Sequence, residues 1–254
     1  MIQGEFMDPT KLIALVTGAS RGIGRAIAIG LGKEWVSVVM NYRSRLDSAA
    51  EVAKKIVDAG GNAIVVKADV GNDNEVRAMV DHVVEKWGGI DILVNNAGIH
   101  KGGRIQKLTF EDWNLVITSS CGGAFHCCRR IVPLMVEKKW SRIINITSYV
   151  ALHGYPGDTA YGAAKAGLLG ITLSLAKEVA SKGITVNAII PGYTPTDMTA
   201  GLFDKQEKID REIQNIPLRR PGRPEEIADM VNFLVFKGEY ITGTVIRVDG
   251  GLAM

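Results

Sequence analysis

The sequence predicts an α/β fold, a single doubly wound sheet of about seven parallel strands with helices on both faces. Three observations carry that prediction. Short apolar runs alternate with helical stretches along the chain, without a shift in composition that would mark a linker. The first apolar run feeds straight into a glycine-rich turn and then a helix, Gly18-Ala19-Ser20-Arg21-Gly22-Ile23-Gly24. Finally, Gly18–Gly24, Asn95–Gly98, Ser148 and Pro191-Gly192 all fall at the expected carboxyl ends of strands, where ligands bind on such a sheet.

The 254 residues are 46% hydrophobic and 22% charged, enough apolar content for a full core. The formal charge of +3 is not gathered into a basic run, so nucleic acid is not indicated as a partner. No apolar run reaches membrane-spanning length and the N-terminus lacks a signal-peptide pattern, which points to the cytoplasm and away from a membrane. Cys121, Cys127 and Cys128 have neither the number nor the spacing of a disulfide framework or a metal site, and read as small helix residues. Residues 1–9 read as a leader outside the fold, disordered or carried over from expression, and residues 10–254 as one domain.

Leu12–Thr17 reads as a buried first strand. The following glycines let backbone approach a pyrophosphate, and the helix from Arg25 to Leu31 offers it free N–H groups and a positive dipole end. A tight strand-to-helix turn would use the same glycines. Val36–Tyr42 is the second strand. A preference for NAD would place an acid at its end to hold the ribose 2′-hydroxyl. The chain has Asn41-Tyr42-Arg43-Ser44 there, and Arg43 with Arg21 would suit a 2′-phosphate, which favours NADP(H) over NAD(H). The other reading is two solvated arginines.

Ser48–Ala59 is helical and ends at Gly60-Gly61, and Ala63–Asp69 is the third strand. Asn72 with Glu75 forms a capping box for a helix reaching Trp87. Asp91–Gly98 is the fourth strand, breaking at Asn95-Asn96-Ala97-Gly98, where amide side chains can brace a ligand crevice or simply form a turn. After a basic loop at His100–Leu108, Thr109 and Asp112 open one long helix to about Lys139. Arg142–Ser148 is the fifth strand, Tyr149–Asp158 a loop, Thr159–Ser181 a helix and Ile184–Pro191 the sixth strand. Gly192–Asn215 is polar and partly helical and reads as a lid. Pro224–Phe236 is a helix and Val245–Gly251 the seventh strand.

Tyr161 and Lys165 share one face of the Thr159–Ser181 helix, being four residues apart. An ammonium beside a phenol favours the phenolate and would lower the tyrosine's pKa into a useful range. A Tyr and a Lys can also fall at this spacing by chance. The loop before them can fold Ser148 back against the start of the helix.

Thr17-Gly18-x-x-x-Gly22-x-Gly24, Asn95-Asn96-Ala97-Gly98, Ser148, Tyr161-x-x-x-Lys165 and Pro191-Gly192, in this order, resemble the short-chain dehydrogenase/reductase family from about Lys11 onward. Within it, TGASRGIG, YGAAKAGLLG, SLAKEVASKGITVNAIIPG and the final VDGG look most like the β-ketoacyl-[acyl carrier protein] reductases. The resemblance implies a Rossmann-type fold and hydride transfer between a nicotinamide dinucleotide and a carbonyl or secondary alcohol, without a metal. It implies that Tyr161 exchanges the proton, Ser148 binds the carbonyl oxygen, and Lys165 lowers the Tyr161 pKa and holds the nicotinamide ribose. It places Asp69 and Val70 at the adenine, Asn95 and Gly98 at the middle of the cofactor and Thr196 near the carboxamide. It adds Ser20, Ile23, Ala97, Pro191, Gly192, Thr194 and Tyr161 itself to the cofactor-binding set begun by the glycine turn and Asn41–Ser44.

Two positions depart from the family pattern. Ser120 stands where relatives carry an asparagine whose side chain props open a helix distortion and whose carbonyl holds a relay water; a weakened relay is expected. Trp35 stands where relatives often have glycine. The resemblance further implies a homotetramer, and an acyl carrier docking near the cavity mouth at Lys139 and Lys182, although lysines also end helices without any such task. Tyr155, Tyr193 and Met198 are candidate pocket residues for a moderately apolar substrate. The alternatives are a dehydrogenase for a small ketone, sugar or steroid alcohol, and a dinucleotide-binding protein with weak or lost catalysis.

Overall fold

The computed structural model describes residues 8–197 and 206–254. Seven parallel strands form one sheet in the order β3-β2-β1-β4-β5-β6-β7, with β1 Ile13–Val16, β2 Ser37–Tyr42, β3 Asn62–Lys67, β4 Ile92–Asn95, β5 Ser141–Ile146, β6 Ile184–Pro191 and β7 Val245–Val248. The strand order reverses between β1 and β4, and a crevice opens there beyond the carboxyl ends.

The side-chain alternation of the strands sorts the core into two layers. Ala14 and Val16 of β1, with Val38 and Met40 of β2, face Ile27 and Leu31 of α1 (Gly22–Lys33), Val52 and Ile56 of α2 (Leu46–Asp58), and a later C-terminal helix. Ile13 and Leu15 face the other way, toward Val76 and Met79 of α3 (Asp73–Trp87). Both faces of the central strands are thus buried, which explains why they read as continuous apolar runs.

The helix expected from Thr109 to Lys139 is three pieces: α4 Phe110–Ile117, a π-helical turn Thr118–Gly122, and α5 Gly123–Lys138. Glycines 122 and 123 weaken the α-helical ladder here. A Cβ on Gly123 would stand 2.6 Å from Val70 Cγ2, so only a glycine lets α5 press against that loop. Cys127 and Cys128 are buried on α5, and burial pushes both thiols up, that of Cys128 to about 12, so they pack as small apolar groups. The loop expected at Tyr149–Asp158 contains one helical turn, α6 Val150–His153. The remaining helices are α7 Thr159–Val179, α8 Gln206–Asn215 and α9 Pro224–Phe236.

Two further expectations shift. Asp8 and Pro9, assigned to a leader, are already ordered: Asp8 Oδ1 accepts from the Thr10 amide at 3.0 Å and opens a turn over Pro9–Lys11. Trp35 does adopt the left-handed backbone that suits glycine, with φ +64°, and its ring lies against Gly60.

Asn72 caps α3 as its sequence predicts, Oδ1 accepting from the Asn74 and Glu75 amides at 3.0 and 3.4 Å, but Glu75 reaches past it to the Asp69 amide at 2.8 Å. The cap therefore also fixes the loop after β3. Asn72→Ala is expected to lower unfolding free energy by about 1 kcal/mol, measured by urea denaturation at equal slope.

Candidate active site

A cavity of about 350 Å³ runs along the carboxyl edge of the sheet. Its floor is the turn between β1 and α1. Gly18 and Gly22 have φ of +63° and +54°, and a Cβ on Gly24 would stand 2.5 Å from the Gly18 carbonyl oxygen. The turn is held from behind. Thr17 Oγ1 accepts from the amides of Asn96 and Ala97, both at 3.0 Å, and Asn96 Nδ2 donates to the carbonyls of Thr17 (2.9 Å) and Gly18 (3.2 Å). Asn41 Oδ1 accepts from the Gly18 amide at 3.2 Å while its Nδ2 donates to Ala68 O at 2.9 Å. Helix α1 has no side-chain cap, so its first N–H groups face the cavity without a protein acceptor from its N-cap side chain. This is a preformed anion cradle.

Three guanidinium groups gather beyond the cradle. Arg43 pairs with Asp69 at 3.7 Å, and Arg21 and Arg45 share Asp197 at 3.4 and 3.5 Å. All are exposed pairs, each worth little to stability. Arg43 and Arg45 follow the end of β2, beside Tyr42 and Ser44, and Arg21 stands just before α1; together they supply positive charge where the strand offers no carboxylate.

At the other end, two elements are locked together. Lys165 Nζ donates to the Ile146 carbonyl at 2.9 Å, and Thr147 Oγ1 donates to the Lys165 carbonyl at 2.8 Å. These bonds join the end of β5 to α7 and bring Ser148 beside Tyr161. Lys165 is 3% exposed, and burial pulls its ammonium down to about 8. Its Nζ is 5.7 Å from the Tyr161 ring centroid. Burial pushes the Tyr161 phenol up to about 12, a hydrogen bond from Ser148 pulls the other way, and the Asp158 carboxylate raises it further. The expected lowering of the phenol by Lys165 is therefore not what this geometry delivers: the ammonium is turned to a backbone carbonyl, and desolvation of the phenolate wins.

Ser120 sits in the π-helical turn, 2% exposed. The helix distortion thus forms without an asparagine. Its carbonyl accepts from the Gly123 amide, and its Oγ is buried without a hydrogen-bond partner. Ser120 does not line the cavity; it backs Gly98, where a Cβ would stand 2.9 Å from Ser120 Oγ and 3.4 Å from Lys165 Nζ.

Of the predicted cofactor residues, Ser20, Ile23, Val70, Ala97, Pro191, Gly192, Thr194 and Thr196 join those already described along the cavity wall. Asn95 is the exception. It is the last residue of β4 and points into the sheet, donating from Nδ2 to Asn145 Oδ1 at 2.8 Å; its neighbour Asn96, one residue on and so on the other face, is the one that braces the turn. Tyr155 and Tyr193 line the substrate end, whereas Met198 lies outside the described residues, as does part of the expected lid. Lys139 and Lys182 are neighbours, but just before β5 and β6 begin. The eight residues of β6 put roughly 20 Å between them and the strand's carboxyl end. Within one chain they do not flank the cavity mouth. Sequence reasoning did not tell Asn96 from Asn95 as the bracing amide, and it missed Arg45, Asp197, and a pair formed by His100 and Asp158, 58 positions apart, for which no local pattern exists.

The fold and this cavity define a dinucleotide-binding protein of the doubly wound class. Residues 18–253 match the family described as Enoyl-(Acyl carrier protein) reductase. A 3-oxoacyl-[acyl-carrier-protein] reductase of Synechocystis sp. is 45% identical over 96% of this chain and 98% of its own, and one from Staphylococcus epidermidis 43% identical over 95% and 98%. Among solved structures, a short-chain alcohol dehydrogenase from Sinorhizobium meliloti superposes with a TM-score of 0.91 at 36% identity, covering 95% of this chain and 96% of that one. An NAD(P)-dependent gluconate 5-dehydrogenase from Beutenbergia cavernae, with bound NADP, does so at 0.90 and 34%, with the same coverage. The chain belongs to the short-chain dehydrogenase/reductase family and is an NAD(P)-dependent oxidoreductase. The cradle, closed to any Cβ at Gly24, and the arginines beyond it fit such a cofactor.

The depressed Lys165 pKa has a consequence for stability. Between about pH 8 and the unfolded value near 10.5, the unfolded chain holds a proton that the folded chain has released, so stability rises with pH in that window. Lys165→Met should therefore unfold at higher urea than the native sequence at pH 7 in the absence of dinucleotide, and this advantage should shrink between pH 8 and 10.5.

Proposed function

We propose that this protein reduces a 3-oxoacyl thioester, carried on an acyl carrier, to the 3-hydroxyacyl thioester using NADPH, with Ser148, Tyr161 and Lys165 as the catalytic residues. The observation that supports this reading is the meeting of Ser148, Tyr161 and Lys165, from β5 and α7, at one end of the cavity whose other end is the glycine cradle. The printed names of the Synechocystis and Staphylococcus epidermidis relatives support the substrate. Arg43 and Arg45 after β2, with Arg21 before α1, support the 2′-phosphate.

The bound cofactor supplies the hydride. Ser148 donates a hydrogen bond to the substrate carbonyl oxygen and stabilises the charge that builds there. Tyr161, held protonated by its burial, gives its proton to the same oxygen. Lys165, fixed by Ile146, holds the neighbouring ribose hydroxyls and keeps positive charge near the phenolate that remains. Ser120 supports from behind: the π-helical turn puts its hydroxyl against Gly98, which also packs beside Lys165 Nζ. A cytoplasmic homotetramer completes the proposal.

Mixing the protein with acetoacetyl N-acetylcysteamine thioester and either NADPH or NADH tests it. NADPH oxidation at a kcat/KM at least tenfold above that with NADH is expected. Tyr161→Phe should lose about a hundredfold or more of kcat while NADPH binding, followed by fluorescence, is unchanged. Oxidation of gluconate or simple alcohols in a parallel assay with NADP+ or NAD+, without turnover of the thioester, would favour the substrates named for the structural neighbours. Tight NADPH binding without turnover of any carbonyl would favour a binding protein.

A further inference from the structure

The substrate end of the cavity carries a hydrogen-bonded pair to which the roles above give no task. His100, on the loop after β4, has Nε2 2.8 Å from Oδ1 of Asp158, and the side chains are 12% and 14% exposed. The His100 ring meets the Tyr161 ring edge-on, with centroids 5.2 Å apart and planes at 70°. Asp158 is the N-cap residue of α7, where an aspartate ordinarily accepts from the amide of the second or third helical residue, here Ala160 or Tyr161. It makes no such bond. The carboxylate is turned to the imidazole instead.

The two loops are built around this contact. The Gly103 amide donates to the Gly157 carbonyl at 2.8 Å. The backbone at Gly102 passes close over the pair: a Cβ there would stand 3.2 Å from His100 Cε1 and 3.4 Å from Asp158 Oδ1. A helix cap has been given up for an interaction whose far side is the Tyr161 ring.

The charges around that ring come from every element packed on it. Lys165 stands on the same helix, its Nζ committed to Ile146 O. Ser148 comes from the end of β5. Tyr149 and Tyr155 lie across the cavity, both pushed up by burial and by the carboxylates of Asp158 and Glu212, the latter on α8 and 3.1 Å from the Tyr155 hydroxyl. Lys101, beside His100, pairs outward with Asp112 at 3.7 Å. Asp158 is the carboxylate that bears directly on Tyr161, and His100 is its partner.

We propose that His100 and Asp158 form a positioning pair for Tyr161: the imidazole, held by the Asp158 carboxylate, fixes the phenol ring edge-on at the substrate end of the cavity, and the charge of the carboxylate, tempered by its imidazole partner, acts on the phenol. This rests on the reading of Tyr161 as the proton-transferring residue.

The test uses the full chain with NADP+ and 3-hydroxybutanoyl N-acetylcysteamine thioester. Oxidation requires the phenolate, so the acidic limb of its pH–kcat profile reports Tyr161. Phenolate absorbance of the NADP+-loaded protein, minus that of Tyr161→Phe, reports the same event without turnover. Asp158→Asn keeps an acceptor for His100 and removes the charge; both readouts should move down by about one pH unit. His100→Phe keeps a ring against Tyr161 and removes the donor to Asp158; both should move up. A clasp that only held two loops together would lower kcat in both variants without moving either titration, and unmoved limbs, or shifts in one sense, overturn the proposal. Full turnover in Tyr161→Phe would instead overturn the parent reading and the pair's role with it.

Discussion

Lys165 Nζ bonded to the Ile146 carbonyl, with Thr147 Oγ1 returning a bond to the Lys165 carbonyl, is the constraint on which the site depends. These two bonds seat the first turns of α7 on the end of β5. Without them Ser148 and Tyr161, thirteen residues apart across a loop, would have no fixed relation. The arrangement buries an amine in a place where its charge is disfavoured, and burial alone accounts for its lowered pKa. Strain of this kind belongs to a working site rather than to the stability of the fold.

The same region shows burial prevailing over charge pairing. A Tyr and a Lys four residues apart on a helix suggest a lowered phenol pKa. The structure has the opposite sign, because desolvation of the phenolate outweighs the hydrogen bond from Ser148 and the ammonium points at a carbonyl. The Asp158 carboxylate reinforces the protonated phenol.

The elements and the site were legible in the sequence to different depths. Pro224–Phe236 and Ile184–Pro191 were read to the residue, since a proline start and an unbroken apolar run are local signals. The glycine turn was legible as a phosphate site because its function is carried by backbone. The division of the Thr109–Lys139 segment was not, since no local signal marks the π-helical turn, and the close approach of Gly123 to Val70 beside it joins segments distant in the chain. Asn95 and Asn96 could not be told apart in role without knowing where β4 ends, because one step along a strand reverses the side chain. Lys139 and Lys182 looked suited to a cavity mouth until the strand direction placed them at the far edge.

What the sequence determined by itself was periodicity and order: alternating strands and helices, glycines where backbone must come close, and the succession of motifs that marks the family. Those are properties of neighbours along the chain. The tertiary structure decided the pairings between distant segments, such as His100 with Asp158, Asn96 with the glycine turn, and Arg45 with Asp197. It also decided the protonation of Tyr161 and Lys165. Both are set by what surrounds a group in space, and the free energy of a charge depends on its desolvation and its contacts rather than on its sequence neighbours.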